Sequence, residues 1–407
     1  MSQQPRHEQT VELALGTRTV LSVTGLDEQE ARVLRRDWSR CLAPAEDPAR
    51  VRSVELARRG PQGEALPWPD FHEELVQRAT RETIEDGRGR RLLLHAAALA
   101  GPDGRAVVLA AASGTGKTTA ARRLGRHLGY LSDETAAIEP AGQEPPEIVP
   151  FPKPLSVLDG SGLRPKHQTG PDELGLLPAP DSRLAALAVL ERVPPEALER
   201  PAAEDLPLHR ALELLVPQTS SLAELDRGVL RLIRVIEQAG GVRLLRYSEA
   251  EQLDELIRQA LDQGCRPARA PAHTARPLPE AELAPPVGEP APGYGMLRRR
   301  AVSDAVELEC PSPVLALLRG RSFHLIAGLG EALWRAAPGW IPLDRAVEQL
   351  CADPQAPPGA RGLVLDAVRQ LAEQGVMELS GPPSALGLIP SPGAQALSPG
   401  ACDAPTS

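Results

Sequence analysis

The sequence predicts an α/β fold: a larger domain built on a mixed central sheet, followed by a small α+β domain. Three observations carry that expectation. Residues 105–134, RAVVLAAASGTGKTTAARRLGRHLGYLSDE, read as strand, glycine-rich loop, helix and strand. Just before them, two apolar runs at 91–100 and 105–111 flank Gly101-Pro102-Asp103-Gly104 and read as a hairpin. After residue 263 the composition shifts to Pro, Ala, Arg and Glu, and short strands followed by three helical patterns resume near residue 306.

Taken in order, residues 11–24 alternate about Gly16-Thr17 like a hairpin, and 27–41 have helical periodicity. Residues 51–56 suit a strand, and 71–85 suit a charged helix with Leu75, Val76 and Ile84 as its apolar positions. Residues 1–90 are therefore expected to form an α/β lobe packed on the domain at 91–263. Hairpin pairing about the turn sets His95 opposite Ala110. Residues 139–154 are rich in Pro, and the chain from there to Asp181 reads as loop. A buried strand at 184–192, helices at 206–215 and 226–238, an edge strand at 242–247 and an amphipathic helix at 249–263 complete the domain. Residues 264–293 read as an extended linker. The small domain at 294–380 should hold strands at 306–309, 314–318 and 323–326 and helices at 329–336, 343–351 and 363–374, and 381–407 a disordered tail.

The loop carries chemistry. Ser113-Gly114-Thr115-Gly116-Lys117-Thr118-Thr119 fits the phosphate-binding pattern GxxxxGK[ST], except that Ala111 stands where the first glycine is usual. Consecutive backbone N–H groups and a helix N-terminus then point at one anion. In this pattern Lys117 neutralises β/γ-phosphate charge, Thr118 offers its hydroxyl to Mg²⁺, and Gly114 and Gly116 let the backbone close on the phosphates. ATP and Mg²⁺ are the implied substrate and cofactor. Asp133 and Glu134 end a strand expected to run parallel to the loop strand after a right-handed crossover. Their carboxylates then lie beside the terminal phosphate, where they can bind metal or take a proton from an attacking hydroxyl.

His95, the AASGTGKTT loop and the LSDE segment resemble, in order and spacing, the HPr kinase/phosphorylase family. That resemblance implies a P-loop serine kinase in which Asp133 is the catalytic base and Glu134, replacing an aspartate, is a metal ligand alongside Thr118. It gives His95 a supporting role beside Lys117, and it implies assembly into a homo-oligomer. The family's glycine-rich signature after the acids has no copy here; VPFPKPLSVL, 149–158, takes its place. A second metal-ligating acid is absent with it, so a kinase without phosphorylase activity is expected. Towards the C-terminus, LALLRGRSFHLIAGLGEALWRAA and LAEQGVMEL resemble the PqqD-like family of winged-helix modules. Those modules bind the leader of a ribosomally made peptide as an added strand, and by position the strand around Phe323 and the helix at 363–374 would frame the groove. Together the resemblances imply an ATP-dependent kinase for a hydroxyl, serine in first place, of a peptide or small protein. Tethering to the C-terminal module would raise that acceptor's effective concentration. A small-molecule P-loop kinase and a non-catalytic ATP-binding scaffold stay open as alternatives.

Charge and composition narrow the partners. A formal net charge of −9 and a pI near 5.5 argue against binding a phosphate backbone. Within 296–380, nine basic and ten acidic residues argue the same for the small domain. Lys117, Lys153 and Lys166 are the only lysines among 45 basic residues, which singles out Lys153, in FPKPLS, as a candidate phosphate or acceptor contact. Five cysteines, at 41, 265, 310, 351 and 402, form no CxxC pair and suit reduced thiols better than disulfides or zinc. With no apolar run of bilayer length, the protein is expected to be soluble and cytoplasmic, with no membrane partner.

Overall fold

In the computed structural model, which describes residues 8–44, 51–60, 62, 64–112, 114–139, 144–157, 167–263, 274–284, 295–309, 313–354 and 356–381, alternation about Gly16 produces the first hairpin. Strands β1 (Gln9–Leu15) and β2 (Thr19–Leu26) pair antiparallel. Helix α1 (Glu28–Asp37) opens on a capping box: the Asp27 carboxylate accepts from the Glu30 N–H, and the Glu30 side chain accepts from the Asp27 N–H. Strand β3 (Arg52–Ala57) then pairs parallel to β2. Helix α2 (Trp68–Gly87) lays Phe71, Leu75, Val76 and Ala79 on Leu13, Leu21, Leu34 and Trp38, giving this lobe its own core. At the end of α2, the buried Asp86 accepts from the Thr17 and Arg18 N–H groups, the Thr19 hydroxyl and Arg91. Burial works against its ionisation, but the Thr17 N–H, Arg91 and the Thr19 hydroxyl outweigh it and hold its carboxyl below the usual range. One carboxylate thereby ties the first hairpin turn to the strand that begins after Arg91.

His72 gives this lobe a pH dependence. Trp38 Nε1 donates to His72 Nε2 at 3.0 Å, so that nitrogen carries no proton, although Asp37 Oδ2 lies 4.0 Å from Nδ1. Burial, with the nearby Arg36 charge, pushes the imidazole down to about 4. The folded pKa lies below the unfolded value, so the unfolded chain takes up the proton first. Stability from this residue is complete above pH ~6.5 and is lost as pH falls from there towards ~4, a contribution of about 3 kcal/mol. Urea midpoints measured down that interval should fall steeply in the wild type and less steeply in His72→Gln. Equal slopes would contradict the assignment.

The central sheet is built from unbroken apolar runs, as strands buried on both faces must be. Together with the helices beside it, this part of the chain runs β4 (Leu92–Ala100), β5 (Arg105–Ala110), α3 (Lys117–Leu124), β6 (Gly129–Ser132), β7 (Thr135–Ile138), β8 (Ile148–Val149), β9 (Leu155–Val157), β10 (His167–Thr169), β11 (Leu177–Pro178), β12 (Arg183–Arg192), β13 (Ala202–Leu206), α4 (Leu208–Leu215), β14 (Thr219–Ser220), α5 (Gly228–Gln238), β15 (Val242–Tyr247) and α6 (Leu253–Gln263), with β9 and β10 forming a separate antiparallel pair. The order across the central sheet is β11-β6-β4-β5-β12-β15-β13. β4 is antiparallel to both β5 and β6, and β12 and β15 continue parallel to β5. On one face, Ala120, Ala121 and Leu124 of α3 and Leu253, Leu256 and Ile257 of α6 pack against Val107, Leu109 and Ala188. Small alanines let these layers approach closely where aromatics are scarce.

Several expectations change. The loop strand and the strand before Asp133 are parallel to each other, but β4 lies between them. Val242–Tyr247 is internal, and the edge is the acidic β13, whose alternation is too weak to read. The supposed loop at 139–181 carries β8 to β11. His95 does not face Ala110: Ala96 does, because Gly101 N–H bonds to Arg105 O and leaves a three-residue loop with Gly104 left-handed at φ 80°. That one-residue offset pairs His95 with Thr135 of β7 instead.

The chain divides into two units, Met1–Pro277 with Ser303–Pro311 and Ala316–His324, and Leu278–Val302 with Ser312–Leu315 and Leu325–Ser407. The expected linker at 264–293 holds β16 (Thr274–Pro277) and the helical turn α7 (Glu280–Leu283); its residues 264–273 and 285–293 lie outside the described residues. The remaining elements are β17 (Met296–Arg299), β18 (Asp304–Glu309), β19 (Pro313–Arg319), β20 (Ser322–Ala327), α8 (Leu329–Ala336), β21 (Ile341–Pro342), α9 (Leu343–Cys351), α10 (Ala360–Glu373) and β22 (Met377–Leu379). In the first unit, buried Asp304 at the start of β18 accepts from the Leu230 N–H and from Arg227, capping α5. In the second unit, β17 lies between β21 and β22, antiparallel to both. Its arginines conceal a strand by sticking to aromatics: Arg299 lies 4.2 Å from the Trp334 ring centre and Arg298 4.4 Å from that of Trp340. Cys41 and Cys351 are free thiols; the other three cysteines, and residues 382–407 of the expected tail, lie outside the described residues. Among the described residues no helix is long and apolar enough to cross a membrane.

Candidate active site

Parallel strands deliver their C-terminal ends to one edge of a sheet, which is where α/β folds place ligands. β5 ends in the glycine-rich loop, β6 ends in Ser132 just before the acids, and antiparallel β4 starts from the same edge with His95. The turn after β6 is local chemistry: the Ser132 hydroxyl accepts from the Glu134 and Thr135 N–H groups at 3.3 and 3.1 Å. A cavity of about 410 Å³ opens there, lined by His95, Gly114 and Gly116–Thr119 of the loop, Asp133, Glu134 and Lys153.

Gly114 and Gly116 are left-handed, with φ 81° and 101°, so both positions require glycine. Ala111 does not share that need. The described non-glycine residues at positive φ are Ser221 and Arg227, and the methyl of Ala111 is buried. Tyr247, at the end of β15, donates to Thr115 O at 2.8 Å and braces the loop from behind. Lys117 Nζ donates to Ala111 O at 2.6 Å and Ala112 O at 3.1 Å. Burial pulls its pKa down to about 8, against the raising effect of Glu134 and Asp133. Ser113 lies outside the described residues.

Both acids reach the cavity. Asp133 Oδ2 accepts from the Thr118 hydroxyl at 3.0 Å, and Oδ1 accepts from the Tyr130 hydroxyl at 3.0 Å. Lys153 Nζ stands 2.9 Å from Asp133 Oδ1 and 3.2 Å from Glu134 Oε2. The lysine expected as a phosphate or acceptor contact is therefore turned onto the acids. Burial alone would pull its ammonium down, but the two carboxylates outweigh that and hold it above the ordinary lysine value. Burial, reinforced by Asp133, drives the Tyr130 phenol well up, so it stays a donor. His95 Nδ1 lies 3.1 Å from Glu134 O, an acceptor only, which places the proton on Nδ1 and leaves Nε2 with its lone pair. Burial, then the Lys117 charge, lowers the imidazole below its usual value and keeps it neutral.

Three contributors carry no strong sequence signal. Thr80 of α2 donates to Glu134 Oε2 at 3.2 Å, from a helix distant in the chain. Tyr130 looks like any core residue of β6. Arg122, which also lines the cavity, could have been found as the residue four after Thr118, on the same helix face. A second cavity of about 490 Å³ opens on the other side of Gly114 and Thr115, walled by Arg192, Val193, Pro194, Pro195, Ser248 and Glu249.

A divalent ion is tested by the donors present. Among the described residues no group of three His, Cys, Asp or Glu could hold a metal. The Thr118 hydroxyl beside two carboxylates is instead the partial oxygen set that suits Mg²⁺, which keeps waters and shares substrate phosphates. The residues fit an ion that arrives with a nucleotide.

One family model, described as ScmC, SynChlorMet cassette protein ScmC, matches residues 76–162. The match is well under half of the chain and runs from Val76 in α2 past the end of β9, so it takes in His95, the loop, both acids and Lys153. No curated protein matches the chain at a significant level.

Proposed function

We propose that this protein is an ATP-dependent phosphotransferase of the HPr-kinase type, acting on a hydroxyl, serine in first place, of a peptide or small protein. In the same reading residues 294–380 form a PqqD-like winged-helix module that captures the acceptor's leader. The observation that carries the proposal is the Thr118–Asp133 hydrogen bond at 3.0 Å, which holds a carboxylate at the mouth of a loop with two left-handed glycines. ATP phosphates lie along the loop amides and the start of α3. Lys117 exchanges the carbonyls of Ala111 and Ala112 for β/γ-phosphate oxygens. Thr118 and Glu134 would hold Mg²⁺, which neutralises charge on the bridging phosphate oxygens when bound. With the Thr118 hydroxyl turned away, Asp133 Oδ2 is free to accept the acceptor's proton as the acceptor oxygen bonds to the γ-phosphorus and ADP leaves. Neutral His95 offers Nε2 as an acceptor for an N–H of the incoming peptide, which helps to position the acceptor. The nucleoside has room in the second cavity, with Arg192 and the Val193-Pro194-Pro195 segment against the base.

Mass spectrometry of candidate serine peptides incubated with ATP, Mg²⁺ and the protein tests this. One added phosphate, absent when the serine is alanine, is expected. Transfer to a small molecule with every peptide unchanged would overturn the acceptor class.

A further inference from the structure

We propose that Lys153 is a resident cation that takes the place of a second metal ion between Asp133 and Glu134, making this a site for one divalent ion. The inference rests on the phosphoryl-transfer reading above. Adjacent carboxylates at the floor of one cavity repel each other unless a cation balances them. Many phosphoryl-transfer sites supply that balance with two metal ions. Here one ammonium does it, 2.9 Å from Asp133 Oδ1 and 3.2 Å from Glu134 Oε2. An Mg²⁺ bound to the same two oxygens at about 2.0–2.1 Å would occupy the ammonium's own volume.

Lys153 cannot readily withdraw. The residue is 1% exposed, so its stem is enclosed on all sides. Its backbone is pinned as well: Phe151 N–H bonds to Leu131 O of β6, Lys153 N–H bonds to Phe151 O, and the Phe151 ring sits in the core of the first lobe. Pro152 and Pro154 restrict the flanking dihedrals. A compact ammonium suits this volume where a guanidinium would not, which explains a lysine in a chain that otherwise uses arginine. Tyr130 also donates to Asp133 Oδ1, and Thr80 to Glu134 Oε2, so the oxygens facing Lys153 are saturated from the protein side. Glu134 Oε1 and the Thr118 hydroxyl are left for the one ion brought by the nucleotide, and Asp133 Oδ2, on the side away from Lys153, is left for the acceptor. Lys153 thus also fixes which carboxylate oxygen meets the acceptor.

Counting bound Mn²⁺ by loss of the free-ion electron paramagnetic resonance signal tests this without any turnover. Titrated in the presence of a non-hydrolysable ATP analogue, the wild type should bind one Mn²⁺ per chain, and Lys153→Met or Lys153→Gln should bind two. Titrated with Mn²⁺ alone, the variants should gain one ion that disappears when Asp133→Asn is added. A wild type that binds two ions overturns the proposal, as do folded variants, checked by circular dichroism, that gain none. If the analogue fails to bind the wild type, the phosphoryl-transfer reading is what fails, and the Mn²⁺-only titration still decides the role of Lys153.

Discussion

Asp133→Asn should lower phosphoryl transfer by about 10²- to 10⁴-fold, the range for loss of a positioned general base, and change ATP affinity little. The substitution keeps shape. The amide oxygen can still accept from Tyr130 and Lys153, as Oδ1 does, while the NH₂ group takes the place of Oδ2 beside Thr118. Lys153 keeps Glu134 as a charged partner at 3.2 Å. What is lost is a lone pair able to receive the acceptor's proton. Single-turnover transfer and equilibrium binding of a fluorescent ATP analogue separate the two effects. An enzyme loses the first and keeps the second; a nucleotide-sensing scaffold shows no transfer to lose and keeps its partner binding. If ATP binding and transfer fell together, Asp133 would be holding the loop in shape rather than acting on the acceptor.

Lys117→Ala should act at the earlier step. Its ammonium is bonded to the carbonyls of Ala111 and Ala112, so the truncation removes the one loop side chain charged to meet the β/γ-phosphates. Loss of such a preorganised, charge-assisted donor should reduce kcat/KM by about 10²- to 10³-fold and weaken ATP by about 10-fold or more. Thermal stability should change little, because Lys117 donates only within its own loop and packs at the start of α3. Isothermal titration with ATP checks it, and unchanged affinity would show that the phosphates bind elsewhere.

How much of this was readable in the sequence follows from how local each cause is. The loop was legible because left-handed backbone at Gly114 and Gly116 and a helix starting at Lys117 are demands that a few adjacent residues must meet. The acids are legible because one short helix separates them from the loop, although nothing in that spacing shows that β4 lies between β5 and β6. β4 and β12 announced themselves as continuous apolar runs, whereas β13, AAEDL, is exposed along most of its length and has no buried face to betray it. The apolar pattern sets His95 one residue off because hairpin register depends on loop closure, here by Gly101 and Arg105. The bridging role of Lys153 was out of reach: it depends on Phe151 docking in a separate core and on a Pro-rich segment folding back along β6. Thr80 was hidden for the same reason, since a contact across the fold leaves no trace in spacing.

The central claim is that a nucleotide's terminal phosphoryl group sits between the Lys117 loop and Asp133. A crystal structure of the protein with Mg²⁺ and a non-hydrolysable ATP analogue measures this directly. The γ-phosphate is expected within about 4 Å of Lys117 Nζ, with Asp133 Oδ2 placed to reach an acceptor oxygen about 3–3.5 Å from the phosphorus. A nucleotide bound away from the loop, or in it with Asp133 turned from the γ-phosphate, would contradict the account.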